Sequence, residues 1–305
     1  RSLRRRHRAR PRPHQAAGRP VADAGDGAQP QDRLRQRGED RQARRGEQGP
    51  GAVNDLLGVA VDVAPLLPPG LALRVPEAAA SEVGTLSRAY RVNLTMLAAI
   101  APYPQVFASC GVHPLNQDPG VDAPLLLTQA ADERVVAIGE TGLDYFYSPE
   151  NKEVQQASFR EHIRVARALN KPLIIHTRDA QEDTLQIMRE EGAEQVGGVL
   201  HCFTESLEMA EAAMEMGFYI SISGIATFKN ATALQDVVKA LPLERLLIET
   251  DSPYLAPVPH RGRENEPAFV RDVAQFIADL RQIPLAELAE ATSHNFFELF
   301  KMAKK

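Results

Sequence analysis

Four short apolar runs, each ending in a side chain that can bind a metal ion, constrain the fold more than any other feature of this 305-residue chain. The runs end at Glu140, His176, His201 and Asp251. Continuous Val, Ile and Leu segments of this length are typical of strands buried in a parallel sheet. In a parallel barrel all strands point the same way, so the residues at their carboxyl ends lie at one mouth. We therefore expect these four side chains to form one site.

Apolar runs alternate with amphipathic segments from residue 93 onward. Strands are predicted at 106–112, 135–139, 172–175, 197–200, 219–223 and 246–249. Helical apolar stripes occupy residues 155–169, 204–216 and 232–240. Strands that alternate with helices predict an α/β fold with a parallel sheet, and about 250 residues of such units is the size of a (β/α)₈ TIM-type barrel. A seventh strand is predicted at 56–63, and the missing eighth strand is the first one of the barrel.

Residues 1–50 differ sharply from the rest of the chain in charge. They contain 14 Arg, no Lys and 6 acidic residues, a net charge of +8, whereas the remainder carries −13. With so few apolar residues this segment cannot offset its chain entropy, and we expect it to be disordered. Three explanations of this segment are possible: a basic nucleic-acid-binding arm, a transit peptide, or a GC-rich gene read out of frame. The presence of Arg without any Lys favours the last of these. Residues 51–305 are predicted to form the barrel domain, with an aberrant or inserted stretch at 64–92.

The composition indicates a cytoplasmic protein with no membrane association. The chain is 44% hydrophobic and 25% charged, and it contains no apolar stretch long enough to cross a bilayer. Cys110 and Cys202 lie in apolar runs at unrelated spacing, which predicts reduced core thiols rather than a disulfide or a cysteine zinc site. The alternation of a strand predicts that Cys202 points away from His201 and into the core.

Five short motifs follow one another along residues 93–300. They are Gly111-Val112-His113-Pro114, Gly139-Glu140-Thr141-Gly142-Leu143-Asp144-Tyr145, His176-Thr177-Arg178-Asp179-Ala180, His201-Cys202-Phe203 and Glu249-Thr250-Asp251-Ser252-Pro253-Tyr254-Leu255-Ala256-Pro257. Pro259-His260-Arg261-Gly262 and Asn295-Phe296 complete the pattern. In order and spacing these motifs resemble the TatD family of metal-dependent deoxyribonucleases.

The resemblance implies a metallohydrolase barrel that binds one or two divalent cations and cleaves phosphodiester bonds, as an exonuclease acting on a single-stranded DNA end. By motif, Glu140, His176, His201 and Asp251 take the metal positions. Imidazole and carboxylate ligands suit Mg, Mn, Zn or Ni, and a bound cation lowers the pKa of water. Glu140 is the natural bridge between two ions, and Asp251 is predicted to be both a ligand and a proton acceptor. No obligate protein partner is inferred.

Each of these residues also has a simpler interpretation when it is taken alone. A single Glu at a strand end is usually a cap or an ion-pair partner, and a single His in an apolar run is usually a hydrogen-bonded core residue. Four such residues at the ends of four strands favour a site, because that much buried charge costs several kcal/mol per unpaired group.

Candidate substrate contacts lie just beyond the strand ends. They are His113, Arg178, His260 and Arg261, whose donors could hold phosphate oxygens. A solvated loop charge is the alternative for the two arginines. The aromatic residues Tyr145, Phe146, Tyr147 and Tyr254 could stack on bases, although packing in the core or at the rim is the favoured interpretation. The negative charge of residues 51–305 argues for a grip on one strand end rather than for coating of duplex DNA.

The chain departs from the TatD pattern at its start. That pattern opens with a strand ending in His-x-His, which supplies two further ligands, and the only upstream histidines here are His7 and His14. They lie in an Arg/Pro stretch, so neither is assigned to the metal, and we expect one ion to bind weakly or not at all. A catalytically impaired barrel therefore remains an alternative. A related amidohydrolase or lactonase acting on a small molecule is another, because similar barrels host several hydrolyses.

Overall fold

The computed structural model describes residues 97, 100–103, 106–117 and 120–303. Six strands lie in this part of the chain: β1 (Ala108–Cys110), β2 (Val135–Asp144), β3 (Leu173–Arg178), β4 (Gly198–Leu200), β5 (Phe218–Ile222) and β6 (Leu246–Ile248). They are hydrogen-bonded in sequence order and every neighbouring pair is parallel. The predicted α/β fold with a parallel sheet is confirmed. The basic segment 1–50, the predicted strand 56–63 and the stretch 64–92 lie outside the described residues.

Helices separate the strands. They are α1 (Ala123–Ala130), α2 (Lys152–Leu169), α3 (Gln181–Glu190), α4 (Leu207–Glu215), α5 (Thr232–Ala240), α6 (Val270–Arg281) and α7 (Leu285–Leu299). Asp122 caps α1 by accepting the backbone N–H of Leu125 at 3.0 Å, and Ser206 caps α4 in the same way. No helix in the described part of the chain combines the length and the apolar character needed to cross a bilayer.

The two faces of the sheet pack against different partners, because successive side chains of a strand point to opposite sides. One face packs against α1 to α6 and contributes residues such as Leu173, Ile175 and Ile220 to the main core. The opposite face, which we call the inner face, forms a second core with the last helix. The lower level of this inner face consists of Val136, Ile174, Val199 and Leu247, packed with Phe296 and Phe300.

The strand β2 is longer than its apolar run. The sequence predicted a strand at 135–139, but β2 continues to Asp144, where it pairs with Arg178 of β3. The polar strand end is satisfied by pairing with β3 on one side and by hydrogen bonds between Asp144 and Gln155 of α2. Gly142 (φ 132°) permits this pairing, since a Cβ at that position would overlap the backbone oxygen of His176.

The strand β1 is shorter than predicted. It ends at Cys110, whereas the apolar run at 106–112 suggested a longer strand. The chain leaves the sheet because the backbone N–H of Val112 donates to Nε2 of His162, on α2, at 2.9 Å instead of joining the ladder. This bond fixes the backbone next to His113.

Candidate functional site

The inner face becomes polar two residues beyond its lower level. Ile174 is followed by His176, Val199 by His201 and Leu247 by Glu249, so the same strand side carries an apolar and then a charged side chain. We call the buried set His176, His201, Ser221 and Glu249 the upper level. The sheet thus places polar groups at the carboxyl ends of the strands, where active sites of parallel α/β barrels lie.

Glu140 lies at the centre of three imidazoles. Its Oε1 is 3.1 Å from Nδ1 of His176, 3.5 Å from Nε2 of His113 and 3.8 Å from Nε2 of His201. The rings of His113 and His176 meet edge to face, with centroids 4.8 Å apart. Strand β3 and the segments that follow β1 and β4 therefore direct three nitrogen donors at a single carboxylate oxygen.

His201 connects Glu140 to the end of β6. Its Nε2 lies 3.4 Å from Oδ1 of Asp251, and its Nδ1 lies 2.8 Å from Oε2 of Glu249. Ser221 donates its hydroxyl to the same oxygen of Glu249 at 2.5 Å. Asp251 adopts a φ of 58°, a conformation that is uncommon for a residue other than glycine and that turns its side chain towards the imidazole. We call His113, Glu140, His176, His201 and Asp251 together the carboxylate–imidazole cluster.

Asp144 contacts His176 at the ring nitrogen that does not face Glu140. Its Oδ2 is 3.0 Å from Nε2 of His176, and its Oδ1 accepts the backbone N–H groups of Phe146 and Tyr147 at 3.1 and 2.8 Å. The N–H of Asp144 itself donates to Oε1 of Gln155 at 2.7 Å. The carboxylate is therefore fixed, and with it the orientation of the imidazole.

The charges of the cluster shift its pKa values in opposite directions. Burial opposes ionisation of Glu140, but the charges of His201 and His113 and the hydrogen bonds of His113 and His176 outweigh it and hold the pKa of Glu140 well below its usual range. Burial likewise opposes protonation of His201, yet the neighbouring Glu249 and Glu140 raise its pKa well above the ordinary value. Against the same opposition from burial, the hydrogen bond to His176 lowers the pKa of Asp144 to about 2.

The neutral histidines of the cluster have too few N–H groups for the carboxylate oxygens that face them, so the cluster needs added positive charge. A neutral imidazole has one N–H, yet both ring nitrogens of His176 and both of His201 face carboxylate oxygens. Within the described residues, Oε1 of Glu249 is also buried without a hydrogen-bond partner. Either extra protons or a cation must balance these groups.

The donor set fits a divalent cation. Ligand atoms of His113, Glu140 and His176 all lie within 4.8 Å of one another. Histidines that bind metals usually donate their other N–H to a carboxylate, and Glu249 and Asp144 occupy that position for His201 and His176.

The structure therefore brings together all four residues that the sequence assigned to a metal site. His113, which the sequence assigned to substrate, lies within the same cluster. The sequence analysis did not identify Asp144 and Glu249 as partners of the histidines. Both stand inside the recognised motifs, but their pairing with residues 32 and 48 positions away has no signal in spacing.

Cys202 is a buried member of the main core, as predicted, and its thiol also reaches the end of β6. Its Sγ lies 3.8 Å from Oδ2 of Asp251 and 3.2 Å from Oγ of Ser223. Strand β4 ends at Leu200 and Cys202 has a φ of 46°, so strand alternation does not apply to it. Neither Cys110 nor Cys202 forms a disulfide in the part of the chain that the structure describes, and burial raises the pKa of Cys110 to about 11.

The other predicted substrate residues make contacts with aromatic rings. The guanidinium of Arg178 lies 4.1 Å from the ring centre of Phe146, and that of Arg261 lies 3.7 Å from the ring centre of Phe228. His260 stacks on Phe269 and its Nε2 is 2.9 Å from Asp272, which takes up one of its nitrogens. The substrate roles of Arg178, His260 and Arg261 stay predictions.

Comparison with known proteins gives a consistent result. The family model described as TatD related DNase matches residues 71–301. The uncharacterized metal-dependent hydrolase YcfH of Escherichia coli K12 is 60% identical over 195 residues, which are 64% of this chain and 74% of that protein. The 3'-5' ssDNA/RNA exonuclease TatD of Escherichia fergusonii is 37% identical over 205 residues, or 65% of this chain and 79% of that protein. The crystal structure of YJJV, a TatD homolog from Escherichia coli K12, matches with a TM-score of 0.63 at 32% identity, over 68% of this chain and 82% of that one.

Proposed function

Because this chain belongs to the TatD family of metal-dependent hydrolases, we propose that it hydrolyses phosphodiester bonds at the end of single-stranded DNA. The carboxylate–imidazole cluster around Glu140 carries the proposal, since nitrogen and oxygen donors of this kind bind the cations used in phosphoryl chemistry. The exonuclease of Escherichia fergusonii supports the choice of substrate class.

The cluster would hold one or two divalent cations, chosen from Mg, Mn, Zn and Ni. Glu140, His176, His201 and Asp251 are the proposed ligands, and the position of His113 adds a fifth. When bound, such a cation polarises a phosphoryl oxygen and lowers the pKa of water.

Residues of the chain itself set the geometry for this chemistry. Glu249 and Asp144 hold His201 and His176 by one ring nitrogen each, which leaves the other nitrogen directed at Glu140. Asp251 retains 22% side-chain exposure, against 16% for Glu140, and contacts His201 with one oxygen. We assign Asp251 the role of accepting the proton of the attacking water, because it is the more exposed of the two carboxylates in the cluster.

In this proposal a few basic side chains near the mouth of the site hold the phosphates of the substrate. Arg178, His260 and Arg261 are the proposed phosphate contacts. The formal net charge of the chain is −5, so broad neutralisation of a duplex backbone is unfavourable. Binding limited to a strand end is consistent with that charge, and the proposal involves neither a membrane nor an obligate protein partner.

Digestion of labelled oligonucleotides tests the proposal. Single-stranded DNA labelled at its 5' or 3' end is incubated with the protein and Mg, Mn, Zn or Ni, and fragments are separated by length. We expect stepwise shortening from one end by the wild type and none by Asp251→Asn. Asp279→Asn, on the exposed side of α6, is the matched control and should digest like the wild type. The proposal fails when the wild type leaves the DNA intact with all four cations.

A further inference from the structure

The turn that follows β2 is tied to the candidate metal site through a single carboxylate. We call residues 145–147 the β2 turn. Oδ1 of Asp144 accepts the N–H groups of Phe146 and Tyr147, while Oδ2 of the same carboxylate contacts His176. The backbone of Tyr147 is therefore held at a fixed position beside the cluster.

The buried guanidinium of Arg178 packs against two aromatic rings of this turn. Arg178, which is only 2% exposed, places its guanidinium 4.1 Å from the ring centre of Phe146 and 4.5 Å from that of Tyr147. The two rings meet at 89° with centres 5.0 Å apart. Contact with a guanidinium favours a fixed ring position and a face-on arrangement.

Tyr147 differs from its two aromatic neighbours in what it offers to solvent. The hydroxyl of Tyr145 is bonded to Asp183 at 2.6 Å and to Gln156 at 2.7 Å, within a lateral pocket. Phe146 is less exposed than Tyr147, which is 36% exposed. The turn thus presents one ring to solvent at the mouth.

We propose that the ring of Tyr147 is the platform on which the unpaired terminal nucleobase stacks while its phosphodiester lies at the cluster. This inference rests on the proposed function and adds to it the element that recognises a single strand. Stacking on an aromatic ring tolerates any base, because every base has a π face. A base within a duplex already stacks on its neighbours, so an unpaired end gains most from the platform.

Removing the base tests the platform directly. Two single-stranded oligonucleotides are compared that differ only at the attacked end, where one carries a normal nucleotide and the other a tetrahydrofuran abasic residue. For the wild type we expect kcat/KM to be about 5- to 100-fold higher with the base present, through KM rather than kcat. Tyr147→Ala should lose this ratio and Tyr147→Phe should keep it. Leu127→Ala, an exposed apolar position on α1, is the matched control and should behave like the wild type.

The outcomes separate this inference from the proposed function. A purely structural role of Tyr147 would slow both substrates equally, so digestion by Tyr147→Ala with an unchanged base-to-abasic ratio overturns the platform and leaves the nuclease proposal intact. Binding of the same oligonucleotides, labelled with fluorescein, is followed by anisotropy in EDTA. A base preference in binding that Tyr147→Ala removes supports the platform even when no digestion occurs, whereas absence of both binding and digestion overturns both proposals.

Discussion

The lower and upper levels of the inner face differ in chemistry although the same strands build both. The lower level is apolar and closes against Phe296 and Phe300. The upper level, one side-chain repeat further along, is charged and equally buried. Burying charge costs several kcal/mol per group unless it is paired, so the upper level contributes little to stability, and its donors suit the cation that we propose. Under the proposed function, stability and binding are therefore placed along one strand face, two residues apart.

The largest expected effect is on activity, from the centre of the cluster. Glu140→Gln keeps the shape of the side chain but removes the charge that three imidazoles face. Loss of an outer partner of a metal ligand alone costs about 10- to 100-fold, so we expect DNA cleavage to fall on the order of 10³-fold. The temperature of thermal unfolding should fall less than it does in the lower-level variant Ile174→Ala. Cleavage at the wild-type rate would show that the carboxylate–imidazole cluster is not the site.

The reverse pattern is expected one side-chain repeat below. Ile174→Ala leaves a cavity in the lower level, and we expect the free energy of unfolding to fall by about 2–5 kcal/mol, measured by urea denaturation. The folded fraction should still cleave DNA. Ile174→Val is the graded control, with a loss of about 0.5–1.5 kcal/mol. An activity loss in Ile174→Ala as large as that of Glu140→Gln would break the separation between the two levels.

A histidine on the other side of the sheet sharpens the comparison. His162 is fully buried, accepts the N–H of Val112 through Nε2 and places Nδ1 2.7 Å from the backbone oxygen of Ser158. With no carboxylate beside it in the contacts described, burial lowers its pKa to about 4, whereas the pKa of the upper-level His201 is raised. The unfolded chain thus binds more protons than the folded one between pH 6.5 and about 4.

Stability should therefore fall as the pH drops through that window, by as much as about 3 kcal/mol from this group, and level off below it. The measurement is the difference in unfolding free energy between the wild type and His162→Gln at a series of pH values. Glutamine can make both hydrogen bonds without titrating, so the variant should lack this part of the pH dependence. Identical pH profiles for the two proteins would contradict the assignment.

The smallest effect is expected from Glu249, the upper-level carboxylate that holds His201 in place. Glu249→Gln preserves the contact with Ser221 but weakens the hold on Nδ1 of His201. We expect affinity for Mn²⁺ to fall by about 10- to 100-fold, measured by calorimetry, with the fold retained in circular dichroism. Glu298→Gln, an exposed position on α7, is the matched control. An unchanged affinity would leave Glu249 with a packing role only.

The sequence allowed the strands to be placed but not the full cluster. Apolar runs and the alternation of strands and helices predicted the parallel α/β fold. Each of the six described strands overlaps its predicted range. The residues Glu140, His176, His201 and Asp251 were found because each ends such a run. The length of β2 was missed, since most of its final residues are polar and are satisfied by pairing with β3 and by Gln155 of α2. The pairs His201–Glu249 and His176–Asp144 depend on three-dimensional contacts, which spacing along the chain does not encode.

The most direct test is whether the upper level and its cluster bind a divalent cation. Purified metal-free protein is titrated with Mn²⁺ in a calorimeter, and the wild type is compared with Glu140→Gln and with Ile174→Ala. We predict saturable binding by the wild type and by the folded Ile174→Ala protein, and none by Glu140→Gln. Binding that is absent from the wild type, or equal in the wild type and Glu140→Gln, would contradict the assignment of a metal site to these residues.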